Sequence, residues 1–208
     1  MSGDVFSELS DQSLTALLEF YAEAEQSRTF GFEEDWQLSQ FWYDDRTAEI
    51  LAKECLQQCV DQKGVIGCIC SPTVFIKLKE TFCCDSVKFI LFEFDRRFAK
   101  YGSEFVFYDC NGSLDELSNF QNTCDVVIAD PPFLSKNCMR NIFQAIQLIT
   151  RGKFIICTGV VLEEFILEHD NVHRCVFAPS HKNKLCNEFR CYANYVTSYL
   201  DSDVSENE

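Results

Sequence analysis

Asp130, Pro131, Pro132 and Phe133 follow directly on the apolar run Val126–Ala129. An acid, two rings that lock φ and an aromatic make a stiff loop with a carboxylate acceptor beside a π-face. Such a loop suits a flat or cationic amino group. Three further acids stand in comparable places. Glu93 and Asp95 follow the run Val87–Phe92, and Asp109 follows Glu104–Tyr108. In an open α/β sheet the strand ends meet at the crevice where ligands bind. An acid after the second strand can accept from ribose hydroxyls, and one after the third can accept from the exocyclic amine of adenine. The set points to a cofactor bearing adenosine. The loop after the first apolar run reads CICSPTVF, Cys68 to Phe75, and carries no GxGxxG. That counts against a nicotinamide cofactor, whose pyrophosphate needs close backbone approach. A cofactor without phosphates, such as S-adenosylmethionine, does not need that cradle.

The elements that must carry these residues are readable from periodicity. Val126–Ala129 has no polar alternation, as expected of a strand buried on both faces, and Pro131 and Pro132 end it at Asp130. Other strands are expected at Val65–Cys70, Val87–Phe92, Glu104–Tyr108, Phe154–Cys157, Val172–Phe177 and Glu188–Tyr199. Helical spacing covers Ser13–Gln26, Thr47–Asp61, Thr73–Phe82, Ser135–Thr150 and Val161–Glu168, with a short helix or turn at Ser113–Phe120. Alternating strands and helices predict right-handed βαβ units. The expected fold is α/β with a mostly parallel seven-stranded sheet. The last two strands lack a long helix between them and predict an antiparallel hairpin at one edge. The chain reads as a single domain, with a helix and aromatic lid segment over 1–43, an α/β core over 44–200 and an acidic tail over 201–208.

Composition narrows the partners. The net charge of −15 and pI near 4.6 repel a phosphate backbone and favour a basic protein. The cysteines number 13, an odd count, and several lie inside strand-like runs. The first residues are polar and acidic, and no run approaches the length of a membrane span. Reduced, mostly buried cytoplasmic thiols are expected. His181, Cys186 and Cys191 fit no compact zinc spacing, and no metal is expected.

The motif DPPF, Asp130 to Phe133, resembles the [N/D/S]PP[Y/F] signature of amino-group methyltransferases with the class I S-adenosylmethionine-dependent, Rossmann-like fold. The ordered blocks WQLSQFWY, FEFDRRF, YGSEFVFYD, VVIADPPFLS, RGKFIICTG and NEFRCYANY resemble successive blocks of one eukaryotic family. It was once called N6-adenine-specific DNA methyltransferase 2 and is now regarded as the lysine methyltransferase of translation elongation factor 1-alpha. The resemblance runs from about Leu14 to Tyr195. It implies S-adenosylmethionine as cofactor, elongation factor 1-alpha as protein substrate, and a cytoplasmic monomer. It implies that Asp130, Pro131, Pro132 and Phe133 hold the target amine. Glu93 would take the ribose, with Asp95 as second choice, and Asp109 would lie near the adenine. Ser71 and its neighbours would replace the glycine loop beside the methionine moiety, and Gln40, Phe41 and Trp42 would cover the cofactor. The segment around Glu25–Glu33 is shorter than the family pattern, which bears on how the lid is built.

Plainer readings exist for each motif. DPPF also serves as a rigid strand exit, Glu93 and Asp95 as caps of the next segment, and Phe41, Trp42 and Tyr43 as an apolar anchor. Two other functions compete. An adenine N6-methyltransferase on DNA or RNA would use the same motif, but the acidity and the lack of a separate target-recognition domain count against it. A non-catalytic interaction module is supported only by the degraded glycine loop.

Overall fold

The computed structural model describes residues 33–59, 63–82, 86–183 and 185–202. The helix expected at Ser13–Gln26, the segment around Glu25 to Phe32 and the tail beyond Ser202 lie outside the described residues. The chain divides into two compact units, Met1–Asp35 and Trp36–Glu208. All that follows concerns the second.

Seven strands form one sheet: β1 (Gly64–Ile69), β2 (Val87–Glu93), β3 (Phe105–Phe107), β4 (Cys124–Ala129), β5 (Thr150–Gly159), β6 (His173–Arg174) and β7 (Phe189–Ala193). Their order is β3-β2-β1-β4-β5-β7-β6. The first five run parallel, and β7 is antiparallel to both β5 and β6. This is the predicted mostly parallel sheet with an antiparallel edge. The chain leaves β1 toward β3 on one side, then returns to β4 on the other. The strand order therefore reverses between β1 and β4, which opens a crevice at their carboxyl ends.

Four helices are used below: α1 (Asp45–Gln57), α2 (Pro72–Thr81), α3 (Lys136–Ile149) and α4 (Glu163–Leu167). Asp44 caps α1 by accepting from the Thr47 N–H at 2.7 Å, so the helix begins two residues before the apolar periodicity does. Ser135 caps α3, and Met139, Ile142, Phe143, Ile146 and Ile149 turn its apolar face onto Val127, Ala129 and Ile156 of the sheet. The alternate residues Val126 and Ile128 are equally buried. β4 is thus covered on both faces, as its unbroken apolar run requires.

Several expected elements are shorter than predicted, because side chains take over backbone partners. β7 stops at Ala193, since the Asn194 side chain replaces the ladder by accepting from the Phe154 N–H at 2.8 Å. The expected strand through Tyr199 is instead a turn. Buried Glu54 accepts from the N–H groups of Ser198 and Tyr199 at 2.9 and 2.8 Å, and Asp201 accepts from Thr197 N–H at 2.9 Å. β6 keeps two of its six expected residues, and the helix expected over Val161–Glu168 resolves into a 3₁₀ turn (Val160–Leu162) followed by α4. The basic stretch after β2 becomes the 3₁₀ segment Arg96–Glu104. The acidic, aromatic stretch ahead of Gln40 contains a 3₁₀ turn, Trp36–Leu38.

The described cysteines are all free, and all but Cys70 and Cys186 are buried. Among the described residues, no helix is long and apolar enough to cross a membrane. His169 stacks on Phe143 at 3.7 Å between ring centroids, and His173 pairs with Asp201 at 3.0 Å. Both are packing residues of the core's rim.

Candidate active site

A cavity of about 490 Å³ lies at the carboxyl ends of β1, β2, β3 and β4. Its size falls within the range of small-molecule and cofactor sites. The sheet delivers the acids one strand at a time. Glu93 is the last residue of β2, Asp109 stands two residues past β3, and Asp130 is the first residue past β4. All three line the cavity, together with Pro131, Pro132 and Phe133. The Asp130 N–H donates to the Ile69 carbonyl at 3.0 Å, so the start of the Pro-Pro loop is tied to β1. Phe133 is 44% exposed at the rim. Gly159, at the end of β5, lies so close to Leu134 that a Cβ there would meet its methyl carbons at 3.0 Å. That close approach seats the loop on the sheet.

The two acids after β2 have separate tasks. One Glu93 oxygen accepts from the N–H groups of Phe94 and Asp95 at 3.0 and 3.1 Å, which fixes the side chain in the cavity wall. Asp95 does not line the cavity. It caps the next segment by accepting from the Arg97 N–H at 2.9 Å, and its carboxylate also accepts from Arg97 Nε at 2.8 Å and Gln40 Nε2 at 3.0 Å. Arg97 in turn donates to Gln40 Oε1 at 3.0 Å. This closed triangle clamps the segment carrying Gln40, Phe41 and Trp42, all three of which line the cavity, to the end of β2. Asp109 holds its own turn through the Asn111 N–H at 2.8 Å and the Gly112 N–H at 2.9 Å.

The loop after β1 is built without glycine. Cys70 takes φ 49°, in the left-handed region that glycine usually fills, and lines the cavity. Ser71 then opens α2, with Pro72 in its first turn. Ser71 does not itself line the cavity, but its hydroxyl is buried and without a partner, as is that of Tyr108, which does.

Further lining groups were not assigned to the site by the sequence. Tyr108 and Cys110 flank the acid Asp109, and their strand-end position was a usable signal. His181 and the Leu185–Asn187 loop had none, because polar loop residues carry no period. The loop reaches the site through pairing with the lid segment. The Lys182 N–H donates to Trp42 O at 2.8 Å, and the Asp44 N–H donates to Ser180 O at 3.0 Å. The His181 ring lies between Tyr43 and Phe189, at 4.9 and 4.7 Å. Cys191 is in the core beside Cys157, well apart in role from exposed Cys186. Tyr43 is buried and anchors the segment, while Phe41 and Trp42 line the cavity.

Burial pushes the Glu93 carboxyl up to about 7, against the pull of the Asp95 and Phe94 N–H groups. Burial also raises Asp130 to about 7, with the nearby Tyr43 hydroxyl working the other way and the charge of Glu93 adding to the rise. For Asp95, burial acts upward too, but Arg97 and Gln40 outweigh it and hold the group below its ordinary value. The raised pair has a consequence for stability. Between the ordinary carboxylate range and about 7, the folded protein binds more protons than the unfolded chain. Stability contributed by these groups is therefore lost as pH rises through that window. Glu93→Gln removes one such contribution. Between pH 5 and pH 8 its Tm should fall less than that of the ligand-free wild type, by roughly 5 °C. Parallel melting curves for the two proteins would refute the account.

A Rossmann-like sheet whose crevice gathers strand-end acids, a Pro-Pro-Phe loop and no phosphate cradle defines the architecture of a small-molecule-dependent methyltransferase. The model of one family, described as probable N6-adenine methyltransferase, matches residues 34–197. EEF1A lysine methyltransferase 1 of Homo sapiens is 43% identical, over 98% of this chain and 99% of its own length. Its Mus musculus counterpart is 44% identical over 97% of each. A protein-lysine N-methyltransferase of Caenorhabditis elegans is 38% identical over 93% of this chain and 96% of its own. The chain belongs to the EEF1A lysine methyltransferase 1 family. Among solved structures, a branched-chain polyamine synthase mutein from Thermus thermophilus, in complex with N4-aminopropylspermidine and 5'-methylthioadenosine, shares the fold. It has a TM-score of 0.57 at 11% identity, covering 88% of this chain and 68% of that one.

Proposed function

We propose that this chain is an S-adenosylmethionine-dependent protein-lysine N-methyltransferase acting on translation elongation factor 1-alpha, as a monomer in the cytoplasm. The observation that carries the reading is one cavity joining Asp130–Phe133 to Glu93 and Asp109. Full-length identity to relatives named for that activity supports it. The free cysteines suit a reducing compartment.

The residues present fit the cofactor. The buried, unpartnered Tyr108 hydroxyl lines a cavity walled by acids, and the likewise unpartnered Ser71 sits between the lining residues Cys70 and Pro72. Buried polar atoms of this kind are costly unless a ligand satisfies them. One Glu93 oxygen is held by backbone N–H groups, Gln40 also reaches the carboxylate, and Glu93 takes the ribose hydroxyls. Asp109 takes the adenine end, and Ser71 with the first turn of α2 takes the methionine end. Gln40, Phe41 and Trp42 cover the cofactor, with Asp95 positioning Gln40. S-adenosylmethionine, when bound, supplies a methyl group on a positively charged sulfur.

The protein must present a lysine nitrogen with a free lone pair. An ammonium has none, and neutralising it at pH 7 costs about 4–5 kcal/mol. Desolvation in the cavity lowers that cost. Asp130 and the Pro131 carbonyl accept the amine's hydrogens, and the locked backbone of Pro131 and Pro132 keeps those acceptors in place. With its carboxyl raised to about 7, Asp130 is also a better proton acceptor than an exposed carboxylate. Phe133 at the rim packs on the lysine stem. Most of the acceleration in this scheme comes from orientation.

The test is transfer of tritiated methyl groups to purified elongation factor 1-alpha, and separately to duplex DNA and to RNA. Label on a lysine of the factor is expected. Label on adenine with none on the protein would replace this reading with base methylation. No transfer, together with no cofactor binding by calorimetry, would leave a non-catalytic module.

A further inference from the structure

A cysteine of the cavity wall and a second one behind it stand as a pair that the transfer reaction does not use. Cys110, next to Asp109, lines the cavity and is 6% exposed. Cys138 lies behind it in the first turn of α3. Their Sγ atoms are 3.8 Å apart. The backbones that carry them are already fastened together, since Asn141 of α3 donates from its amide to the Cys110 carbonyl at 2.8 Å. A disulfide needs the sulfurs to close to about 2.05 Å, so bridging the 3.8 Å gap draws the two segments together.

We propose that Cys110 and Cys138 form an oxidation site, closed to a disulfide by peroxide entering through the cavity, and that closure blocks cofactor binding. This rests on the reading that the cavity holds S-adenosylmethionine.

Two observations separate this pair from cysteine packing in general. The first is access. Cys157 and Cys191 are closer, at 3.4 Å, but both are fully buried on paired strands and neither lines the cavity. The second is reactivity. The hydrogen-bonded contact with the Cys110 sulfur holds Cys138 below the usual thiol range, aided by the backbone of Phe133, and a first-turn position in a helix acts in the same direction.

The chemistry balances without a further reactant. One thiol of the pair gives up its proton and its sulfur attacks one peroxide oxygen; the O–O bond breaks, the departing hydroxide takes up that proton, and sulfenic acid forms as water leaves. The second sulfur then attacks the sulfenic sulfur. The S–O bond breaks, the S–S bond forms, and a second water leaves. In sum, two thiols and one peroxide give one disulfide and two waters. Closure draws Cys110 toward α3 and with it the neighbouring Asp109, which holds the turn Asp109–Gly112. It also removes the Cys138 thiol beside Phe133. Both ends of the site are disturbed.

The experiment treats the full-length protein with hydrogen peroxide, maps linkages by peptide mass spectrometry and measures S-adenosylmethionine affinity by calorimetry before oxidation, after it and after dithiothreitol. The expected result is a Cys110–Cys138 linkage, an affinity at least tenfold weaker, and recovery on reduction. Bound S-adenosylhomocysteine should slow the linkage, because it covers Cys110. Cys138→Ser should keep its affinity through peroxide, and Cys110→Ser serves the same purpose should that variant not fold. A first linkage at Cys157–Cys191 or through Cys186 would overturn the proposal, as would linkage at Cys110–Cys138 with unchanged affinity. If the reduced protein binds no cofactor, the cofactor reading fails instead, and the linkage map still decides whether the pair is an oxidation site.

Discussion

Asp130→Ala should lower methyl transfer by about 10³-fold or more, while S-adenosylmethionine binds within a few-fold of wild type. The expected size follows from what is removed. The loop would keep Pro131, Pro132 and Phe133 but lose the acceptor that orients the amine and favours its neutral form, effects of this order in combination. Asp130 lines the cavity at the end of β4, with its N–H tied to the Ile69 carbonyl of β1. Asp130→Asn separates two roles. It retains an oxygen acceptor and the shape of the side chain but cannot take a proton. If positioning dominates, the Asn variant should recover much of the loss; if proton uptake dominates, it should resemble Ala. Single-turnover methylation of the elongation factor reads both, with calorimetry as the binding control. Turnover of Asp130→Ala within tenfold of wild type would remove Asp130 from the mechanism.

Glu93→Gln should weaken S-adenosylmethionine binding by roughly 10²-fold and leave turnover at saturating cofactor within several-fold. Hydrogen bonds to a charged acceptor are worth about 1.5–3 kcal/mol each, and a ribose offers two. Gln keeps an oxygen for the Phe94 and Asp95 N–H groups, so the local backbone is spared. Calorimetry across Glu93→Gln and Asp95→Asn decides between the two acids that follow β2. Asp95 is occupied by Arg97 and Gln40, so its variant should loosen the lid segment and weaken binding less. The opposite ranking would move the ribose contact to Asp95. The raised value of Glu93, about 7, adds a directional check. Binding that requires the carboxylate tightens as pH rises toward 8 in wild type and loses that dependence in the Gln variant.

The parts of this protein legible in its sequence were those fixed by short-range rules. The unbroken apolar run Val126–Ala129 had to be a doubly covered strand, and two prolines had to end it, wherever the rest of the chain lay. Alternating strands and helices limited the topology to a parallel sheet with strand ends on one edge, which is why Glu93, Asp109 and Asp130 could be grouped before any coordinates were known. The sequence could not choose between Glu93 and Asp95, because both follow the same strand within two residues and differ only in what reaches them. That difference lay with Gln40, whose contact with Asp95 spans 55 residues, joined by Arg97 from two residues on. The same holds for the false strand through Tyr199, whose backbone is claimed by Glu54 from 145 residues away. It holds too for Cys110 and Cys138, two apolar-looking cysteines 28 residues apart that only α3 packing on the sheet makes neighbours. Residue type and local period determined the strand, its stop and the carboxylates at the strand ends. Long-range packing alone decided which carboxylate faces the cavity, because burial and hydrogen-bond partners are properties of the assembled core.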